Sequence, residues 1–281
     1  MIGLLLAASL LPDADRATEI RTVGVFVTDG KGNAVTGLVP EEVAVVENGV
    51  ARDLVRIEPD GRKLTIVVLV DTSAAVGSAF RLSIVDAVTS FLNHLPAGAR
   101  YALWGTGDRP MKLVDFSGDP AAAGRALKRV FPQGGSTLLD ALVEASRDLK
   151  ALEGERTGVL VLTAMGPEFS GRDRHQVVEE ARKSGATFRS VQFEEGAVPP
   201  EDRQIYDYVL GELTKKTGGL GVTTLSSMGV DSALRRIGAD IVGQYRLSYK
   251  APPQVKDAKL EVKVARPGVQ VRVGIPARAE P

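Results

Sequence analysis

The sequence predicts an α/β protein: a doubly wound, mostly parallel sheet with helices on both faces, joined to a small discontinuous antiparallel β domain built from both ends of the chain. Three observations predict it. Residues 64–70 read Leu-Thr-Ile-Val-Val-Leu-Val, an unbroken apolar run that suits a parallel strand covered on both faces. From 63 to 243, runs of this kind alternate with segments of helical periodicity, the pattern of repeated βα units. On either side of that span, apolar and polar residues alternate as in antiparallel strands with one wet face.

The elements follow in order. Residues 1–17 are apolar as far as Leu11 and then polar, with no Lys or Arg ahead of the apolar stretch. The stretch has the length of a signal-peptide core and is too short to span a bilayer, so the expectation is an exported protein, periplasmic or extracellular, with no integral membrane span. An N-terminal β unit is expected over 18–62, with strands at 23–27, 43–46 and 54–57. Asn48-Gly49 supplies the positive φ angles of a hairpin turn. The α/β domain is expected over 63–243. Phe80, Ile84, Val88, Phe91, Leu92 and Leu95 recur at helical spacing until Pro96-Ala97-Gly98 ends the helix. Further strands are expected at 101–104, 158–163 and 187–193, with helices at 121–130, 138–149, 173–184, 205–216 and 230–242. Strands at 244–249, 259–264 and 269–273 are expected to return to the N-terminal unit, closing the small domain at 244–276.

Composition narrows the function. The 281 residues hold 35 Lys plus Arg and 35 Asp plus Glu, so no net field attracts nucleic acid, and no basic run is interleaved with aromatics. The absence of Cys removes disulfides, thiolate nucleophiles and Cys-based zinc sites. His94 and His175 lie far apart in no ligand spacing. No Gly-x-Ser-x-Gly elbow is present, and the glycines of 105–108 and 218–221 complete neither a dinucleotide nor a phosphate-loop fingerprint. The chain therefore reads as a non-enzyme.

In an open α/β sheet, ligands bind beyond the carboxyl ends of the strands. Three segments fall there: Asp71-Thr72-Ser73-Ala74-Ala75, Gly134-Gly135-Ser136-Thr137-Leu138, and Leu162-Thr163-Ala164-Met165-Gly166. They resemble the metal-ion-dependent adhesion site of the von Willebrand factor A (vWA) domain family. That site uses Asp-x-Ser-x-Ser after the first strand, a Thr in a Gly-rich loop and an Asp after a later strand. Asp71 and Ser73 match, Ala75 stands at the third motif position, Ser136 falls at the loop Thr position beside Thr137, and Ala164 replaces the later Asp. The flanking Asp29-Gly30-Lys31-Gly32-Asn33, Val45-Val46-Glu47-Asn48-Gly49 and Tyr245-Arg246-Leu247-Ser248-Tyr249 extend the resemblance to bacterial vWA-related proteins common in Acidobacteria.

The resemblance implies a recognition module of Rossmann-like topology whose candidate metal ligands are Asp71, Ser73 and Ser136, and whose binding face is Ser73, Ala75, Ser136, Thr137, Ala164 and Met165. Mg²⁺ requires near-ideal octahedral oxygen ligation. With one hydroxyl and one carboxylate missing, the expectation is no resident cofactor and at most weak binding of Mg²⁺ or another divalent cation. The alternative is that Asp71, Ser73 and Ser136 bond one another and cap helices. For function the expectation is an adhesion or protein-binding module with an unidentified protein partner; the alternative is a structural component of a cell-envelope assembly with an inert site. An exposed apolar patch beside the site favours the first, and a site covered by loop 166–171 favours the second.

Overall fold

The computed structural model describes residues 18–152, 155–196, 198–253 and 258–278. The opening segment 1–17, expected to direct export, lies outside the described residues.

The chain enters a β sandwich through β1 (Glu19–Thr28), β2 (Val43–Glu47), β3 (Val50–Arg52) and β4 (Leu54–Pro59). It then runs through β5 (Leu64–Val70), a π-helical turn at Phe80–Ile84 continued by α1 (Val85–Asn93), β6 (Arg100–Gly105), β7 (Met111–Ser117), α2 (Pro120–Leu127) and α3 (Leu138–Lys150). Next come β8 (Arg156–Thr163), α4 (Arg174–Arg182), β9 (Thr187–Phe193), α5 (Pro200–Thr217), β10 (Gly221–Thr224) and α6 (Val230–Val242). The strands β11 (Gln244–Ala251), β12 (Leu260–Val264), β13 (Gln270–Val273) and β14 (Ala277–Arg278) return to the sandwich.

The central sheet has the order β10-β9-β8-β5-β6-β7, parallel throughout except for β7, which runs antiparallel to β6. Every residue of β5 is buried. Its alternate side chains feed two separate cores. Ile66 and Val68 pack with α1 and α6, whereas Val67 and Leu69 pack with α3, α4 and α5. A fully buried Val, Leu or Ile is worth roughly 1.5–3 kcal/mol, so this strand anchors both layers. The expected doubly wound fold is thus present.

Both ends of the chain share the sandwich, as expected. One sheet runs β13-β1-β11-β4, with β14 beside β1, and the other β12-β2-β3. The hairpin of β2 and β3 turns at Asn48 and Gly49, with φ of 52° and 79°. Four strands were not anticipated: β3, which takes the place of the expected 54–57 as hairpin partner of β2, the two-residue β14, and β7 and β10. β7 is half exposed with register shifts against β6, and β10 has four residues behind a run of glycines, so neither carries the apolar run that marks a buried strand.

Candidate functional site

β5 lies centrally, with β6 on one side and β8 on the other, so the loops leaving its carboxyl end and that of β8 diverge over a crevice at the topological switch point. Asp71 leaves β5 there and is 1% exposed. Its Oδ1 accepts a hydrogen bond from the Ser73 amide at 2.9 Å. Its Oδ2 accepts from Thr163 Oγ1 at 3.1 Å and from the Ala164 amide at 2.9 Å. The carboxylate therefore ties the ends of two parallel strands together. At the position where the resemblance puts a second carboxylate, this chain supplies a backbone N–H that consumes the first.

Three connections close over this centre. Ser136 bridges Gly107 on one side and Glu168 on the other; its amide donates to Pro167 O at 2.8 Å and its carbonyl accepts from the Phe169 amide at 2.7 Å. Tyr206, buried on the inner face of α5, donates its Oη–H to Gly166 O at 2.7 Å. Gly166 lies flat on the motif: a Cβ there would sit 2.4 Å from Ala75 Cβ and 3.3 Å from Ser73 Oγ. Phe169 lies across Gly135 so closely that a Cβ would be 2.0 Å from its ring. Loop 166–171 is therefore a cover, and small residues at 75, 135 and 166 permit it.

Glu168 lines this cover without replacing the missing ligand. Its Oε2 accepts from the Leu138 amide at the start of α3 at 3.1 Å, and its Oε1 from the Ser170 amide at 2.9 Å. Burial outweighs these bonds and raises its pKa above the ordinary value. Asp202, also buried here, accepts from the Glu168 amide at 3.1 Å, and Asp108 is exposed.

The residues expected to form a site are thus brought together at the crevice, but as an interior. Ser73, Ser136, Thr137, Ala164 and Met165 are all buried, and Ala75 is half-buried. The expected mutual bonding and helix capping by hydroxyls is not what forms: neither Ser73 Oγ nor Ser136 Oγ makes a well-formed hydrogen bond, although Glu168 and Tyr206 stand close to Ser136. Asp71 bonds to the Ser73 amide instead. These residues do not fit Mg²⁺. The one carboxylate is already committed to three protein donors, the third motif position is a methyl group under Gly166, and among the described residues no cluster of three His, Cys, Asp or Glu side chains could hold a metal ion.

Sequence reasoning did not single out the surface around this closed centre. Leu225, Met228, Phe131, Leu82 and Phe169 are each at least 69% exposed, and all lie in the connections at the carboxyl end of the sheet. Leu82 lies in the turn before α1, which packs against the turn Ser227–Gly229 that holds Met228. The Arg81 guanidinium sits 5.4 Å from the Phe131 ring centroid, linking that ring to the same patch.

Residues 66–166 match the family described as von Willebrand factor type A domain. Solved structures of similar fold include a von Willebrand factor type A protein from Catenulispora acidiphila, 12% identical, covering 95% of this chain and 75% of that one at a TM-score of 0.54. BatB, a conserved hypothetical protein from Bacteroides thetaiotaomicron, is 14% identical and covers 63% of this chain and 97% of its own at 0.50. The vWF domain of the type V pili tip protein Mfa5 from Porphyromonas gingivalis is 12% identical and covers 70% and 99% at 0.51. No curated protein matches the sequence. Over residues 66–166 the α/β half of the chain is thus similar to von Willebrand factor type A domains in sequence, and it shares their fold.

Proposed function

We propose that this vWA-type domain is a non-enzymatic, exported protein-binding module that works without a metal ion, using the apolar rim of its carboxyl-end face as the contact surface. The observation that carries the reading is the contrast at that face: a buried polar centre sealed by loop 166–171, ringed by Leu82, Phe131, Phe169, Leu225 and Met228 in solvent. Exposed apolar side chains concentrated at one pole mark an interaction surface. Export is supported by the apolar stretch in residues 1–17, and the fold is shared with a pilus tip protein.

Selection of a random displayed-peptide library on the purified chain, with EDTA present, tests the reading. The expected result is a set of peptides that bind the native chain and lose binding to a folded F131S/F169S/M228S variant. Peptides that need Mg²⁺, or that bind this variant as well, would overturn it. The sealed centre also favours a second reading, a structural envelope component with an inert site, and this reading expects no enriched peptide at all.

A further inference from the structure

Beside the sealed centre lies an open cleft of about 660 Å³, walled by the β6–β7 turn on one side and the segment following α2 on the other. Its floor is apolar, with Leu113, Ala126 and Val130, and Met111 and Phe131 stand at its margin in solvent. Arg109 and Arg129 also line it, both exposed. Neither guanidinium has a hydrogen bond or ion pair among the described residues.

The walls are fixed although the arginines are free. Thr72 Oγ1 accepts from the Gly107 amide at 2.8 Å, and Thr72 O accepts from the Gln133 amide at 3.0 Å, so the residue after Asp71 pins both walls. Arg81 donates to Val130 O at 2.8 Å and to Lys128 O. Asp108, with φ of 51°, turns its carboxylate onto Gly134.

We infer that this cleft receives a protein segment bearing a carboxylate next to an apolar side chain, with Arg109 and Arg129 taking the carboxylate and Leu113, Ala126 and Val130 taking the apolar group. The inference rests on the proposed use of this face for protein contact and names the chemistry of the partner. Charge complementarity carries it: two unpaired guanidinium forks and the single carboxylate of Asp108, which lies against Gly134, leave the cleft lining with a net positive charge, and a guanidinium recognises a carboxylate in bidentate geometry. The volume suits a few side chains rather than a whole domain. A segment fits better than a small acid because the apolar margin continues through Phe131 onto the exposed rim.

Fluorescence anisotropy on the full chain in EDTA tests it, with a labelled Gly-Asp-Leu-Phe-Asp-Leu-Gly peptide and a counterpart with Lys in place of Asp. The acidic peptide should bind and the basic one should not. R109Q and R129Q should each weaken binding by about tenfold or more, as loss of a charge-assisted bond requires. Raising salt from about 0.05 M to about 0.5 M should weaken it further. Equal binding to R109Q and R129Q, or free glutarate competing as well as the peptide, would overturn the inference. Library peptides that lose binding to F131S/F169S/M228S but bind R109Q and R129Q unchanged would sink it while leaving the binding-module reading intact. A library that yields no binder would sink both.

Discussion

The central sheet has a buried polar centre at each end, and the two are built on opposite principles. At the carboxyl ends of β5 and β8, Asp71 faces neutral donors only, and two buried serine hydroxyls make no good bond. At the amino ends of β8 and β9, charges are spent freely. Arg189 Nε donates to Asp240 Oδ2 at 2.7 Å, Arg272 of β13 reaches the other oxygen of Asp240, and both guanidinium groups lie over the Phe26 ring at 5.1 and 5.3 Å. Arg156 Nε donates to Gln244 Oε1 at 2.9 Å, and Gln244 donates to Asp60, which also accepts from Arg62. Burial, the largest cause, and the neighbouring Arg189 lower the Arg156 pKa to about 10. The amino-end cluster joins the sandwich to the α/β domain, while the carboxyl-end centre holds two loops closed. Ionic partners fix a scaffold there; at the opposite pole neutral donors alone hold the carboxylate.

The largest expected effect comes from breaking the ionic end. Asp240→Ala strands Arg189 as an uncompensated buried charge and takes one partner from the half-buried Arg272, and should cost roughly 3–5 kcal/mol in chemical denaturation; a loss below about 1 kcal/mol would mean the cluster does not join the domains. Asp71→Ala should cost less, about 2–3 kcal/mol, since it orphans buried neutral donors. Its melting temperature, like that of the native chain, should not move when Mg²⁺ or Mn²⁺ is added, and a metal-induced rise in the native protein alone would restore a working metal site.

The smallest effect is the sign of the pH response. Burial raises the Glu168 pKa in the folded state, so its stabilising contribution is complete below the ordinary carboxyl value and disappears as pH climbs through the raised one. Burial also works to raise Asp60, but Arg62 and Arg156 outweigh it and the pKa is lowered. Its contribution is therefore present above the ordinary value and disappears as pH falls through the depressed one. In denaturation curves across acidic pH, Glu168→Gln should remove the first slope and Asp60→Asn the second. Slopes of the same sign would erase the distinction between the two ends.

Much of the architecture was legible in the sequence because β5 advertises burial on both faces and Asn48-Gly49 advertises its turn. β7 and β10 were not legible, since an exposed edge strand and a four-residue strand bury too little to leave a pattern. At the site, the losses at Ala75 and Ala164 could be read directly. What those losses do could not be: the contact of Gly166 with Ala75 and the Phe169 ring over Gly135 are long-range packing facts. Leu82, Leu225 and Met228 did not stand out in the sequence, because an apolar side chain carries no mark of which way it faces. Arg109 and Arg129 likewise become notable only once the structure shows them unpaired on the walls of one cleft.

The α/β domain leaves and rejoins the sandwich through adjacent strands, with Pro59 of β4 opposite Tyr245 of β11. A pull on the apolar rim against an anchored sandwich is then shared by two covalent connections running side by side, clamped where they meet. Such a load cannot peel the domain from one terminus, and it divides between the two connections before any strand has to unzip.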